Sequence, residues 1–243
     1  MAKLLARVGM ARSDEAGVFR IKICGIMTAS DAQAAVAAGA DAIGLNFVPA
    51  SPRYIDQRRA AEIVASLPKG VAKVGVFVNS ASQDIANLFD SLRLDLIQLH
   101  GDEPPALLSE LEGRPVIKAF RPDASGLASI ETFLDTCREQ RCTPRAILLD
   151  ARRDGIYGGT GSIGDWDLAA AYQKGARPPL VLAGGLTPDN VAAAIKAVAP
   201  SAVDAASGVE ASPGVKDKGL MRRFAGAAAS AFALLDRPAT SSR

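Results

Sequence analysis

Short runs of β-branched and other apolar residues recur along this chain at intervals of roughly 25 to 30 residues, and each is followed by an Ala/Leu-rich stretch of helical period. Such alternation is the pattern of a parallel sheet covered by its own crossover helices. The runs are Phe19 to Cys24, Ala42 to Phe47, Lys73 to Val78, Leu94 to Leu99, Val116 to Phe120, Arg145 to Asp150, Leu180 to Ala183 and Ala202 to Ala206. Eight strands predict a closed (β/α)8 barrel. A chain of 243 residues with 49% hydrophobic content can bury one such core. The expected division is a flexible N-terminal extension over 1–17, a catalytic barrel over 18–236 and a flexible tail over 237–243.

Helix starts are legible at Thr28 to Asp31, at Asp56, at Ser82 and at Thr187-Pro188, where polar caps or proline precede helical periodicity. Gly39 predicts a left-handed C-terminal cap. Further helices are expected around Ser129 to Glu139, Asp165 to Tyr172 and Lys218 to Leu235.

Several function classes are disfavoured. The formal net charge is +2, and no run of Lys or Arg interleaved with aromatics could track a phosphate backbone, so nucleic acid is not expected as a partner. Three cysteines without a CxxC and a single histidine support neither a disulfide framework nor a metal site, and a reducing cytoplasm fits best. The N-terminus, interrupted by Arg7, Arg12, Asp14 and Glu15, lacks the apolar region of a secretory signal. No stretch reaches the ~18 apolar residues of a membrane span.

In an eight-stranded barrel the chemistry sits where strands end and βα loops begin. That rule selects Cys24-Gly25, Asn46 to Arg53, Val78-Asn79, Gln98 to Gly101, Lys118 to Arg121, Asp150, Gly184-Gly185 and Asp204 to Gly208. A lone cysteine is by default a small buried hydrophobe, but Cys24 ends a strand at the rim. A thiol whose ordinary pKa is near ~8.5 needs modest electropositive help to become a thiolate and take a proton from carbon. Asp150 ends the run Ala146 to Leu149, where partial desolvation favours a protonated, proton-donating carboxyl; the plainer alternative pairs it with Arg152 or Arg153. Arg53, stiffened by Pro49 and Pro52, suits a carboxylate, although many loop arginines are simply solvated. His100 serves packing or hydrogen bonding as readily as proton transfer.

Two glycine-bearing loops, LAGGLTPDN and DAASGVE, follow the seventh and eighth strands, the place where barrels hold a phosphate on backbone N–H groups. Gly184, Gly185, Ser207 and Gly208 form the candidate cradle, and a phosphorylated small molecule is the expected partner. The glycines could also serve tight turns alone. A literal GxGxxG at Gly159, Gly161 and Gly164 is not a dinucleotide fingerprint, because it does not directly follow a strand. Residues 151–164 read instead as a lid.

Taken in order, KICGI, GLNFVPASPRYI, VGVFVN, QLHGDE, LLDA, GGTG, LAGGLTPDNV and VDAASGVEASPGVKD resemble the phosphoribosylanthranilate isomerases, from about Arg20 to the last helix. The resemblance implies an Amadori rearrangement in tryptophan biosynthesis without metal or organic cofactor, by a cytoplasmic monomer or homodimer. It implies that Asp150 is the general acid at the furanose ring oxygen and Cys24 the general base at C2'. Arg53 would hold the anthranilate carboxylate, the two glycine loops the phosphate, and Asp204 and His100 would support the site. One departure is Ala206, where the family commonly has serine, which removes a hydroxyl beside the phosphate loop. The competing readings are another phosphosugar barrel, such as the histidine-pathway isomerase with an aspartate at the end of its first strand, and a catalytically silent phosphometabolite binder. Cys24 at the first strand's end disfavours the former, and the joint presence of Cys24, Asp150 and Arg53 the latter.

Overall fold

The computed structural model describes residues 18–121, 125–150, 163–175 and 177–237. The expected extension over 1–17 lies outside the described residues, as do most of the tail and Arg152 and Arg153. The expected lid also lies outside them up to 162, and its last two residues belong to a helix.

Eight parallel strands close into a barrel in sequence order: β1 (Ile21–Cys24), β2 (Ala42–Asn46), β3 (Ala72–Phe77), β4 (Leu96–Leu99), β5 (Val116–Phe120), β6 (Ala146–Asp150), β7 (Leu180–Ala183) and β8 (Ala202–Ala205). β8 pairs back onto β1 with Lys22 opposite Asp204, which closes the ring. Between them run α1 (Ala29–Ala38), α2 (Gln57–Ala65), α3 (Ser82–Leu92), α4 (Pro105–Glu110), α5 (Ala128–Gln140), α6 (Ile163–Tyr172) and α7 (Val191–Val198), and α8 (Lys218–Leu235) follows β8.

Period-two alternation divides the wall into two faces. Outward side chains such as Ile23, Ile43, Ile97, Ile147 and Leu182 pack under the helices. Inward ones such as Val74, Leu96, Ile117, Leu148 and Val181 fill the lower barrel. Burying this much apolar surface is the main stabilising contribution, since each fully buried large aliphatic adds roughly 1.5–3 kcal/mol.

Most element ends match the sequence reading, and the exceptions have local causes. Phe19 and Arg20 precede β1, because the Arg20 and Ile21 N–H groups donate to the Asp41 carboxylate at 2.8 and 2.7 Å. Leu94 is not yet strand; its N–H donates to the Phe89 carbonyl and ends α3. Ser82 is the first helical residue rather than the cap, which is Ala81 without a side-chain bond. Thr187-Pro188 do not open α7: the Thr187 N–H is taken by the Asn190 side chain at 2.8 Å, so the helix begins at Val191. After β8 comes a hairpin that the periodicity does not predict, β9 (Glu210–Ser212) and β10 (Val215–Lys216).

Candidate active site

Because strands alternate, the inward residues at their carboxyl ends converge on one volume. A cavity of about 400 Å3 there is walled by Cys24, Asn46, Gln98, His100, Asp150 and Asp204 from the strands and their ends, with Arg53, Arg121, Gly184, Gly185, Ser207 and Gly208 from the loops. Cys24, Arg53, His100, Asp150, Gly184, Gly185, Asp204, Ser207 and Gly208 all border it, whereas Gly25, Asn79, Gly101 and Phe120 among the strand-end candidates do not. Lys118 does not: it has the opposite parity and is buried against Glu103 outside the barrel wall. A larger concavity, about 790 Å3, lies at the other end near Asp95, Val116 and Arg145. Those are strand starts, where a barrel carries stability rather than chemistry.

Cys24 sits at the cavity floor, 9% exposed. One step below it on β1, and so on the same face, is Lys22, fully buried, whose Nζ donates to Asp204 Oδ2 at 2.9 Å. Gly44 is the cross-strand neighbour of Cys24, and a Cβ there would stand 2.6 Å from the Cys24 Sγ and 3.1 Å from the Lys22 Nζ. Glycine thus leaves the space in which thiol and ammonium meet. Burial pushes the Cys24 thiol up and Asp204 adds to this, while Lys22 and Lys216 pull it back without cancelling the rise. The electropositive help expected from the sequence is therefore present, yet desolvation outweighs it, and the thiol is the stable form at neutral pH. Burial opposes the charge of Lys22, but Asp204 and Cys24 beside it hold its pKa above the ordinary ammonium value.

Asp150 faces Cys24 from across the mouth, at the end of β6. Its Oδ2 is 3.5 Å from His100 Nε2 and 4.0 Å from Arg121 Nε. His100 is oriented from behind by Gln98, whose Nε2 lies 2.9 Å from Nδ1. With the amide donating there, the proton of a neutral ring belongs on Nε2, toward the carboxylate.

Arg53 reaches the cavity wall already gripped. Its Nε and one terminal nitrogen donate to the two Glu210 oxygens at 2.7 and 2.6 Å, the bidentate geometry that fixes a guanidinium plane. Glu210 also accepts from Lys216 Nζ at 2.7 Å. These partners hold its carboxyl below the usual range even though burial, the largest influence, acts the other way. Two of the five guanidinium N–H groups are engaged by Glu210. The Arg53 stem also packs on Gly25, where a Cβ would lie 2.4 Å from Arg53 Cδ.

The loops after β7 and β8 approach each other closely. Gly184 and Gly185 have φ of 88° and 64°, in the left-handed region that favours glycine. A Cβ on Gly208 would fall 1.9 Å from the Leu186 carbonyl oxygen, so no side chain fits there. At Ala206 the backbone carbonyl accepts from Lys216 Nζ at 2.9 Å.

Among the described residues, the buried side-chain polar atoms without a hydrogen-bond partner are Gln98 Oε1, His100 Nε2 and Asp204 Oδ1. All three belong to residues of this one cavity. Buried polar groups are normally paired, so unmet hydrogen-bonding capacity gathered at one place marks where a polar ligand belongs. Sequence reasoning selected Gln98 only as a strand-end position, without a role, and missed Lys22, Glu210 and Lys216 as members of the site. Lys22 had a usable signal, since a charged residue two positions before Cys24 in a strand must share its face. Glu210 and Lys216 had none, because nothing local shows the hairpin folding back over the rim.

A closed parallel barrel with a polar cavity at the carboxyl ends of its strands defines a (β/α)8-barrel enzyme. A profile of the N-(5'phosphoribosyl)anthranilate (PRA) isomerase family matches residues 21–227. The chain is 48% identical over 206 residues to the N-(5'-phosphoribosyl)anthranilate isomerase of Geobacter sulfurreducens, covering 84% of this chain and 96% of that one. The crystal structure of phosphoribosyl anthranilate isomerase from Thermotoga maritima superposes with a TM-score of 0.75 at 41% identity, covering 88% of this chain and 100% of that one. A crystal structure of a phosphoribosyl anthranilate isomerase in complex with reduced 1-(o-carboxyphenylamino)-1-deoxyribulose 5-phosphate gives a TM-score of 0.73 at 38% identity, covering 88% of this chain and 100% of that one. The chain belongs to the phosphoribosylanthranilate isomerase family.

Proposed function

We propose that this chain catalyses the Amadori rearrangement of N-(5'-phosphoribosyl)anthranilate to 1-(2-carboxyphenylamino)-1-deoxyribulose 5-phosphate, a step of tryptophan biosynthesis, with Asp150 as general acid and Cys24 as general base. The observation that carries the reading is the opposition of a carboxyl and a thiol across one cavity whose polar walls hold unmet hydrogen-bonding capacity. Asp150 gives its proton to the furanose ring oxygen, and the sugar opens to a Schiff base. Cys24 then takes the C2' proton, the electron pair enters the enolamine, and the enolamine relaxes to the ketone. A thiol whose pKa is raised yields a scarce but strongly basic thiolate, which suits abstraction from carbon.

Arg53 offers its remaining N–H groups to the anthranilate carboxylate, with Glu210 fixing the fork. The phosphate lies between Gly184-Gly185 and Ser207-Gly208, where small residues admit an anion to backbone N–H groups. Asp204 and His100 contact the sugar. Lys216 draws on the carbonyl of Ala206 rather than on a side-chain hydroxyl, so the lost serine weakens phosphate binding modestly at most. The setting is cytoplasmic, in accord with the free Cys24, Cys137 and Cys142, and the protein acts as a monomer or homodimer. No helix among the described residues is long and apolar enough to cross a membrane.

The test is direct: purified protein supplied with phosphoribosylanthranilate should abolish the substrate's fluorescence catalytically, with inorganic phosphate competing. Absence of turnover at micromolar enzyme would overturn the assignment.

A further inference from the structure

We propose that Lys22 is a positioning residue that supplies the counter-charge for the Cys24 thiolate, sharing its ammonium between that sulfur and Asp204. The inference rests on the reading of Cys24 as general base and extends it to a residue buried beneath the cavity.

Geometry carries it first. Lys22 and Cys24 occupy successive inward positions of β1, and register sets Lys22 opposite Asp204 on β8 and Cys24 opposite Gly44 on β2. One point above Gly44 touches both the Cys24 sulfur and the Lys22 nitrogen, so no third side chain separates them. An ammonium has three N–H groups. One is given to Asp204 Oδ2 at 2.9 Å, which leaves donors for the sulfur above.

The charges around the thiol single out this lysine. Facing Cys24 are Lys22 from β1, Asp204 from β8, Lys216 from β10 and Arg53 from the loop after β2. Lys216 and Arg53 share the one Glu210 carboxylate, at 2.7 Å and 2.6–2.7 Å, which offsets one of their two charges and draws their donors away from the sulfur, and of the two lysines Lys22 acts on the thiol more strongly than Lys216. Lys22 pairs with a carboxylate that engages it through one oxygen while the other oxygen has no partner. With the thiol protonated, Lys22 and Asp204 form a neutral pair. With the thiolate formed, the same ammonium is the counter-ion beneath it. When Cys24 takes a proton from substrate carbon, the neutral pair returns, so the compensation does not trap the base.

The experiment is the pH dependence of Cys24 alkylation by iodoacetamide in the full chain, followed by mass spectrometry of the Cys24 peptide so that Cys142 does not interfere. Lys22→Met should move the midpoint upward by about one pH unit or more, slowing alkylation below it about tenfold. Because that variant strands the Asp204 charge inside the barrel at a cost to folding, K22M/D204N is measured beside it; it keeps the barrel interior neutral, and its midpoint should still lie above that of the unsubstituted protein. D204N alone should shift the midpoint downward. Midpoints unchanged in both variants that lack Lys22 would overturn the proposal, since a purely structural lysine would alter thermal stability without moving the thiol's titration. The outcome is separable from the base assignment. If Cys24→Ala retained turnover, the base role would fail while a shifted midpoint still stood.

Discussion

The barrel wall carries two buried lysine–carboxylate pairs, one on each of its faces, and they are built differently. Lys118 and Glu103 lie on the outer side, and both are saturated. The ammonium donates to the Gly101 carbonyl at 2.6 Å, to Glu103 at 3.0 Å and to the Ala119 carbonyl at 3.1 Å. The carboxylate also accepts the N–H groups of Asn79 and Gly101. Lys22 and Asp204 lie on the inner side, joined by one bond of 2.9 Å, with Asp204 Oδ1 unpartnered. Buried charges tend to be stable only when fully hydrogen-bonded. The saturated pair therefore fixes the loops after β3 and β4 against β5, whereas the unsaturated one retains bonding capacity for a ligand and for Cys24. Incomplete pairing at a buried site is a sign of use rather than of poor construction.

The sharpest way to break this contrast is to ask which substitutions stop chemistry and which loosen the fold. Cys24→Ala and Asp150→Asn should each lower kcat by roughly 10²–10⁴ with Tm nearly unchanged, as read by the fluorescence assay beside a thermal melt. Turnover near that of the unsubstituted enzyme in either variant removes that residue from its role.

Glu103→Gln should do the reverse. The amide places an N–H donor against the N–H groups of Asn79 and Gly101 and strands the Lys118 charge, at a cost of roughly 3 kcal/mol or more, about 6–12 °C in Tm. Asp204→Asn likewise removes a counter-charge but sets no N–H donor against backbone N–H groups, and should lose less stability while losing more activity. Equal losses of Tm in the two variants would erase the distinction.

Arg53→Ala should mainly raise KM, since this residue lies away from the bonds that change. It should also alter the acid side of the stability curve. Glu210 has a depressed pKa, so its contribution is fully present above the unfolded value near ~4.3 and is lost as pH falls through the lower folded value. Without Arg53 there is less to lose, and the gap in Tm between neutral and acidic buffer should narrow. An unchanged gap would assign the depression to Lys216 instead.

The smallest effect is expected outside the barrel, at Arg58–Glu62, an exposed pair on α2 at 2.7 Å. Arg58→Ala should change stability by less than about 0.5 kcal/mol, or 1–2 °C in Tm. A larger drop would mean that contact distance alone, without burial, governs these pairs.

The sequence by itself determined the barrel, because apolar strand runs repeat eight times in a fixed order with helical periods between them, and local signals such as the Thr28 and Asp56 caps and the glycine at 39 mark where single helices start and stop. It also determined which residues stand at strand ends, and so named Cys24, Arg53, Asp150 and the two glycine loops. The tertiary structure alone decided who pairs with whom. Lys22 meets Asp204 across 182 positions, and Arg53 meets Glu210 across 157, through a hairpin that no local pattern announces. It decided as well that desolvation outweighs two lysines at Cys24. Periodicity is written in neighbours along the chain, whereas ion pairing and burial are set by neighbours in space, and closing the barrel is what brings those together.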